Sequence, residues 1–295
     1  MKEITILSGK GGAGKTSIAA ALASLAQNAV FCDNDVDAAD LHLILKPEIK
    51  ETHPFDSGSL AFINQEECTN CETCLEACRF EAIFTNSNGF PEINPYQCEG
   101  CRLCERLCPV GAIQTTQNLN NQWFVSDTRF GVMVHAKMGP GEENSGKLVT
   151  RIREKAKELA SENKAQFIIN DGPPGIGCTA ISSITGTNAV LLVIEPTVSG
   201  LHDAKRLVEL VNSFNVPIYA IINKYDINTE FTATVEHYLI DNNIPLVGKV
   251  PFSELFVECM LHEKSLVEYA PDHPISLNLK SIWEWICDNS THKIC

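Results

Sequence analysis

The sequence has no apolar run near the roughly 20 residues that a membrane-spanning helix requires. Its longest, around Ala189 to Ile194, suits a buried parallel strand. Basic residues are scarce: 23 Lys and Arg stand against 37 Asp and Glu, a formal net charge of −14. A surface of that sign disfavours phosphodiester backbones and anionic lipid, so neither nucleic-acid binding nor stable membrane insertion is expected. No low-complexity stretch interrupts the chain, so no flexible tether between domains is expected. No cationic, apolar leader is visible, and a reducing cytoplasmic setting is expected. What is present, 44% hydrophobic and 20% charged residues over 295 positions, fits one large domain with a small insert.

Short apolar runs alternate with helical periodicity. Strands are expected at 3–8, 29–33, 167–171, 189–195, 216–223 and 245–250, and helices at 15–27, 145–162, 201–214 and 230–242. That alternation predicts an α/β fold, a mostly parallel sheet with helices on both faces. Residues 123–125 and 132–135 read as a hairpin across 127–131. A last helix near 277–286 carries Trp283 and Trp285, with Glu284 and Asp288 offsetting Lys280 and Lys293. It reads as a core-packing helix, since a membrane anchor would be basic.

Eight of the thirteen cysteines form two runs of the same spacing, C-x2-C-x2-C-x3-C. Cys68, Cys71, Cys74 and Cys78 make the first; Cys98, Cys101, Cys104 and Cys108, followed by Pro109, make the second. The pattern is similar to the bacterial ferredoxin signature for two 4Fe-4S clusters. Two intervening residues let a tight loop aim successive thiolates at one cluster, while the fourth cysteine lies past the loop and ligates the other. One cluster is then assigned Cys68, Cys71, Cys74 and Cys108, the other Cys98, Cys101, Cys104 and Cys78. Zinc sites usually use two C-x2-C pairs, and disulfide frameworks belong to secreted chains. Arg79 departs from the pattern, standing where the second run has Pro109. The runs are an internal repeat with an offset of 30, in which Ala82-Ile83 also maps to Ala112-Ile113. A small inserted α+β domain resembling ferredoxin is therefore expected at 63–118, with the main domain at 1–62 and 119–295. The insert carries 8 acidic and 3 basic residues and little apolar core, so its clusters are expected to supply much of its folding free energy.

Gly9-Lys10-Gly11-Gly12-Ala13-Gly14-Lys15-Thr16 fits G-x4-G-K-[ST] between a strand and a helix. Backbone N–H groups of Gly11, Gly12, Ala13, Gly14, Lys15, Thr16 and Ser17 are placed to cradle phosphates, aided by the helix dipole. Lys15 is expected at the β- and γ-phosphates and Thr16 at Mg²⁺. The second lysine, Lys10, makes the loop resemble the deviant form of the MinD/ParA superfamily, which includes the nitrogenase Fe protein. In that superfamily the extra lysine reaches nucleotide phosphates across a dimer interface. The resemblance thus implies a slow ATPase that pairs on ATP binding, with a second copy or a related ATPase. Cys32-Asp33-Asn34-Asp35-Val36-Asp37-Ala38-Ala39-Asp40-Leu41 looks like the superfamily's first switch. Asp33 is favoured there as the group that positions water, with Asp35 and Asp37 close behind and Asp40 as a helix cap. Asp171-Gly172-Pro173-Pro174-Gly175 resembles the second switch, with Asp171 reaching Mg²⁺ through water.

Asn223-Lys224-Tyr225-Asp226 also fits the guanine-reading N-K-x-D of GTPases. In the MinD-like group the matching asparagine contacts adenine, and Val250-Pro251-Phe252 resembles that group's purine-side loop, so ATP is preferred. The chain resembles a subgroup of MinD-like ATPases with a ferredoxin domain inserted after the first switch, from Lys10 to about Pro271. Further residues in that resemblance are Arg129-Phe130-Gly131, the segment 139–147 and Val267-Glu268-Tyr269-Ala270-Pro271. Of the remaining cysteines, Cys32, Cys259 and Cys287 read as packed residues. Cys178 follows the second switch, where the nitrogenase Fe protein has a cluster ligand. The other matching place offers Asn144, so Cys178 reads first as structural and second as a redox or transient metal ligand.

Three functions are open at this point. One is an ATP-gated protein that controls electron transfer or metallocofactor assembly with a redox or metalloprotein partner. Another is a positioning or partition ATPase with a redox-sensing ferredoxin module. The third is an iron–sulfur scaffold or carrier.

Overall fold

The computed structural model describes residues 1–56, 58–139 and 145–289; the middle of the 139–147 segment, Asn144 included, lies outside them, as do Lys293 and Cys295. The chain forms β1 (Lys2–Ser8), α1 (Lys15–Leu25), β2 (Ala29–Asp33), α2 (Leu41–Leu45), β3 (Glu48–Phe55), β4 (Ser59–Ile63), α3 (Thr73–Ala77), β5 (Ile83–Thr85), β6 (Pro91–Ile93), α4 (Leu103–Leu107) and β7 (Ile113–Gln117). It continues with β8 (Asn121–Thr128), β9 (Gly131–Lys137), α5 (Ser145–Glu162), β10 (Phe167–Pro174), α6 (Cys178–Ile184), β11 (Ala189–Ile194), α7 (Val198–Ser213), β12 (Ile218–Asn223), α8 (Thr229–Asp241), β13 (Leu246–Val250), α9 (Leu255–Leu261), α10 (Leu266–Tyr269) and α11 (Pro274–Asn289). Two compact units result: 1–52 with 123–136 and 146–295, and 53–122 with 137–145.

The large unit is built on a sheet of order β13-β12-β11-β1-β10-β2-β9-β8-β3. Pairing is parallel from β13 through β9, and β8 and β9 form the hairpin read from the sequence. The inner strands are apolar on both faces, as burial under helices requires. Ile4 and Ile6 of β1 pack with α1, α2 and α9 to α11, while Leu7 packs with α6 to α8. The last helix packs as expected: Trp283 meets Phe167 and Trp285 meets Tyr219 edge-on, at centroid distances of 5.0 and 5.1 Å. Among the described residues no helix is long and apolar enough to cross a membrane.

A buried polar cluster centred on Glu3 pierces this core. Glu3, 2% exposed, accepts from Arg153 Nε at 2.7 Å and from Asn170 Nδ2 at 2.9 Å, and Lys157 Nζ lies 3.0 Å from its other oxygen. Arg153 Nη1 also donates to the carbonyls of Ser182 and Thr185. The pair therefore ties β1, β10, α5 and α6 at one point.

In the small unit the 30-residue repeat is also a repeat of backbone. β4 pairs with β7 and β5 with β6, both antiparallel, so that Ile63 faces Ile113 and Ile93 faces Ile83. Asn64 N–H donates to Ala112 O and Asn94 N–H to Ala82 O, both at 2.8 Å. Left-handed φ recurs at Asn70 and Gly100, at Glu72 and Arg102, and at Glu81 and Gly111. At Gly100 a Cβ would come within 2.0 Å of Ser59 O, which explains glycine there. The apolar centre is Ala61, Cys74, Ile83 and Ile113, with Ile63, Ile93 and four more of the paired-run cysteines around it.

Breaking a buried ion pair strands the other charge, at about 3–5 kcal/mol. Arg153→Met should therefore lower the urea-unfolding free energy by about that much, and adding Glu3→Gln should restore part of it. A single variant as stable as the parent would show that the pair is not what ties these elements.

Candidate functional site

The parallel register sets the carboxyl ends of β1, β10 and β2 side by side: Ile6 is level with Asp171 and Asp171 with Asp33. Such strand ends are where open α/β sheets bind ligands. Here the Gly9–Thr16 loop leaves β1 and turns into α1. The first turn of α1 has neither a capping side chain nor an acidic residue, so its N–H groups are available to an anion.

The loop is braced by residues whose part the motif alone did not reveal. Asn223 Nδ2 donates to Ala13 O at 2.8 Å and Lys224 Nζ to Gly12 O at 2.9 Å. Gly14 has φ +94°, and a Cβ there would lie 2.2 Å from Asn223 Nδ2. Asn223 thus shapes the loop directly, and its signal was already present as N-K-x-D. Asp226 Oδ1 accepts from Phe252 N–H at 2.7 Å, which ties that motif to the loop holding half-buried Pro251.

The charged groups gather beneath the loop. Lys15 is buried, its Nζ 3.9 Å from Asp35 Oδ2. Burial pushes the Asp35 carboxyl up to about 6, with Lys15 pulling it down. Asp171 is buried with neither carboxylate oxygen hydrogen-bonded. Burial pushes it up to about 7, with the nearby Thr16 hydroxyl and Lys15 pulling the other way. Asp33 is held well above the usual carboxylate range by burial first and by Asp171 second. Its two oxygens accept from the backbone N–H groups of Asp35, at 3.2 Å, and Leu41, at 3.1 Å. Each Asp33 oxygen thus accepts one backbone N–H and helps hold the following segment in shape. Asp35 is half-buried and near Lys15, whereas Asp37 is exposed and Ser17 half-buried in the first turn of α1. Asp40 precedes α2 without making a capping bond. Lys10 Nζ is held by Thr197 Oγ1 at 3.2 Å and Glu195 Oε2 at 3.5 Å.

In the small unit the eight cysteines line two separate cavities. Cys68, Cys71, Cys74 and Cys108 line one small cavity, and Cys78, Cys98, Cys101 and Cys104 line another. Among the described residues no three His, Cys, Asp or Glu side chains form a group fit to hold a metal ion. Cys32 and Cys259 are buried, Cys287 is half-buried and Cys178 is exposed at the start of α6.

Comparison with known proteins bears on the large unit. The CobQ/CobB/MinD/ParA nucleotide-binding domain matches residues 4–267. The uncharacterized protein MJ0578 of Methanocaldococcus jannaschii is 37% identical over 229 residues, 77% of this chain and 79% of its own. Among solved structures, the septum site-determining protein MinD with Mg-ADP from Pyrococcus horikoshii superposes with a TM-score of 0.59 at 19% identity, covering 99% of both chains. The MinC:MinD cell division complex of Aquifex aeolicus gives 0.57 at 16%, covering 100% of this chain and 98% of that one. Matched over most of its length, the chain belongs to the CobQ/CobB/MinD/ParA family of nucleotide-binding domains.

Proposed function

We propose that this family member binds and hydrolyses ATP as a dimerising switch, and that its small unit holds two 4Fe-4S clusters through which it serves a redox or metalloprotein partner. The ATPase reading rests on Lys15, Thr16, Asp35 and Asp171 converging beneath an uncapped loop. Two buried carboxylate oxygens without partners on Asp171 fit a site whose missing member is a hydrated cation. Thr16 and, through water, Asp171 would hold Mg²⁺, which would offset phosphate charge. Lys15 then meets the terminal phosphates, and Asp35, which is not committed to backbone amides as Asp33 is, orients the attacking water. Lys10 stands apart on Glu195 and Thr197 and is proposed to cross to the partner's nucleotide in the dimer, whether the partner is a second copy or a related ATPase.

The cluster reading rests on one observation: each cavity is walled by three cysteines of one run and the fourth of the other. Zinc sites usually take two C-x2-C pairs, whereas three cysteines of one run with the fourth of the other is the arrangement of a two-cluster ferredoxin. The clusters would carry single electrons at a potential set by their surroundings. A second reading, a positioning ATPase with a redox-sensing module, gains support from the MinD likeness, which speaks to the fold of the large unit. The redox half stands on the cysteines.

Lys15→Ala should weaken ATP binding, measured by calorimetry. Asp35→Ala should bind ATP and turn over on the order of 10²-fold more slowly. Asp33→Ala should lower the melting temperature, because it strips two backbone amides of their acceptor. Normal turnover in Asp35→Ala, with loss of turnover and no loss of stability in Asp33→Ala, would return the water-positioning role to Asp33.

Anaerobically purified protein should carry about eight iron per chain, four for each cysteine set. Stoichiometric zinc without iron would contradict the cluster reading.

A further inference from the structure

The 30-residue repeat makes each cysteine set the natural control for the other, and the two are not lined alike. Three hydrogen bonds reach sulfur in the Cys68, Cys71, Cys74 and Cys108 set. Asn70 N–H donates to Cys68 Sγ at 3.4 Å, Thr73 Oγ1 to Cys71 Sγ at 3.5 Å and Ala112 N–H to Cys108 Sγ at 3.2 Å. Among the described residues, no matching bond runs from Gly100 to Cys98, from residue 103 to Cys101, or from Ala82 to Cys78. The hydroxyl difference is written in the sequence, because Thr73 maps to Leu103. Thr69 and Thr73 line the first cavity, while the second has Phe80 and Leu103 and no hydroxyl at all.

The added electron on a reduced cluster is spread over its sulfurs, so a donor aimed at a ligand sulfur stabilises the reduced form and raises the potential. The second cavity has no side-chain hydroxyl to do this. Charge differs at several positions of the repeat: Glu99 stands where the first half has Thr69 and favours the same order, while Glu72 stands where the second half has Arg102 and opposes it. Glu72 and Arg102 are exposed, and Arg102 is paired with Glu105 at 2.8 Å, so these charges are screened by water and by each other. Contact hydrogen bonds therefore decide the order.

Resting on the proposal that the small unit holds two clusters, we infer that the two are inequivalent: the one held by Cys68, Cys71, Cys74 and Cys108 accepts an electron first, and Thr73 is the side chain that tunes it. Thr73 touches a ligand and takes no part in holding iron, so its removal changes potential without changing iron content.

The test is an anaerobic redox titration followed by electron paramagnetic resonance on the full chain. The parent should reduce in two waves. Thr73→Val should move the higher wave to more negative potential and leave the lower one in place, while Thr73→Ser, which keeps the hydroxyl, should stay near the parent. Leu103→Thr should move the lower wave to more positive potential. Thr73→Val shifting the lower wave, or neither wave, at parental iron content would overturn the inference and leave the cluster reading intact. Protein that binds no iron under any of these conditions would overturn both.

Discussion

Asp171 lies in the carboxyl half of a central strand with both carboxylate oxygens buried and neither hydrogen-bonded, its charge offset only by nearby Lys15 and the Thr16 hydroxyl, and burying a charge is among the costliest things a fold can do. Beside it Asp33 is also sealed, committed to the backbone of the segment that follows. Two carboxylates level with each other on adjacent strands repel, and burial raises both. The fold tolerates this strain because parallel register fixes both strand ends and a large apolar core on each sheet face holds the strands. A cation with phosphate above it would relieve the repulsion. In this account that relief links nucleotide binding to the shape of the Asp33–Leu41 segment, since Asp33 holds that segment and lies level with Asp171.

The small unit solves a different problem with little apolar core. Its two halves exchange strands and cysteines, so neither half closes a cysteine set alone. Repetition of left-handed positions 30 residues apart shows that the backbone, and not only the cysteine spacing, follows the sequence repeat. Departures from the repeat, such as Thr73 against Leu103, are then where the halves can differ in chemistry.

Much of the large unit was legible because its strands are buried on both faces and read as continuous apolar runs. β1, β2, β11, β13, α5 and α8 fall within a residue or so of their expected bounds, and β12 starts late, after Pro217, which cannot donate to a ladder. α7 begins three residues early because Thr197 caps it by accepting from Gly200 N–H, a signal weaker than the apolar pattern. β3 was not legible: its residues are mostly exposed, with Glu48, Lys50 and Glu51 on a sheet edge, so no alternation marks it. α2, α6, α9 and α10 run four to seven residues, too short for a 3.6-residue period to show. At the site, residue types and spacing identified the loop and the carboxylates but not their division of labour. Asp33 and Asp35 look alike in sequence, and only the folded backbone shows that Asp33 accepts from the N–H groups of Asp35 and Leu41.

The central claim is that one chain joins a nucleotide switch to an electron carrier. The switch segment is followed by α2 and β3, along which the chain enters the small unit. A nucleotide that reorganises the switch should change the clusters' environment, and by linkage cluster oxidation state must change ATP affinity by the same factor. The direct measurement is the ATP dissociation constant of oxidised and of reduced protein, paired with the cluster potential with and without ATP. The account predicts that both shift, and that the two shifts agree in free energy. Unchanged affinity and unchanged potential in clusters shown to be present would contradict it, leaving an ATPase and a ferredoxin-like unit that merely share a chain.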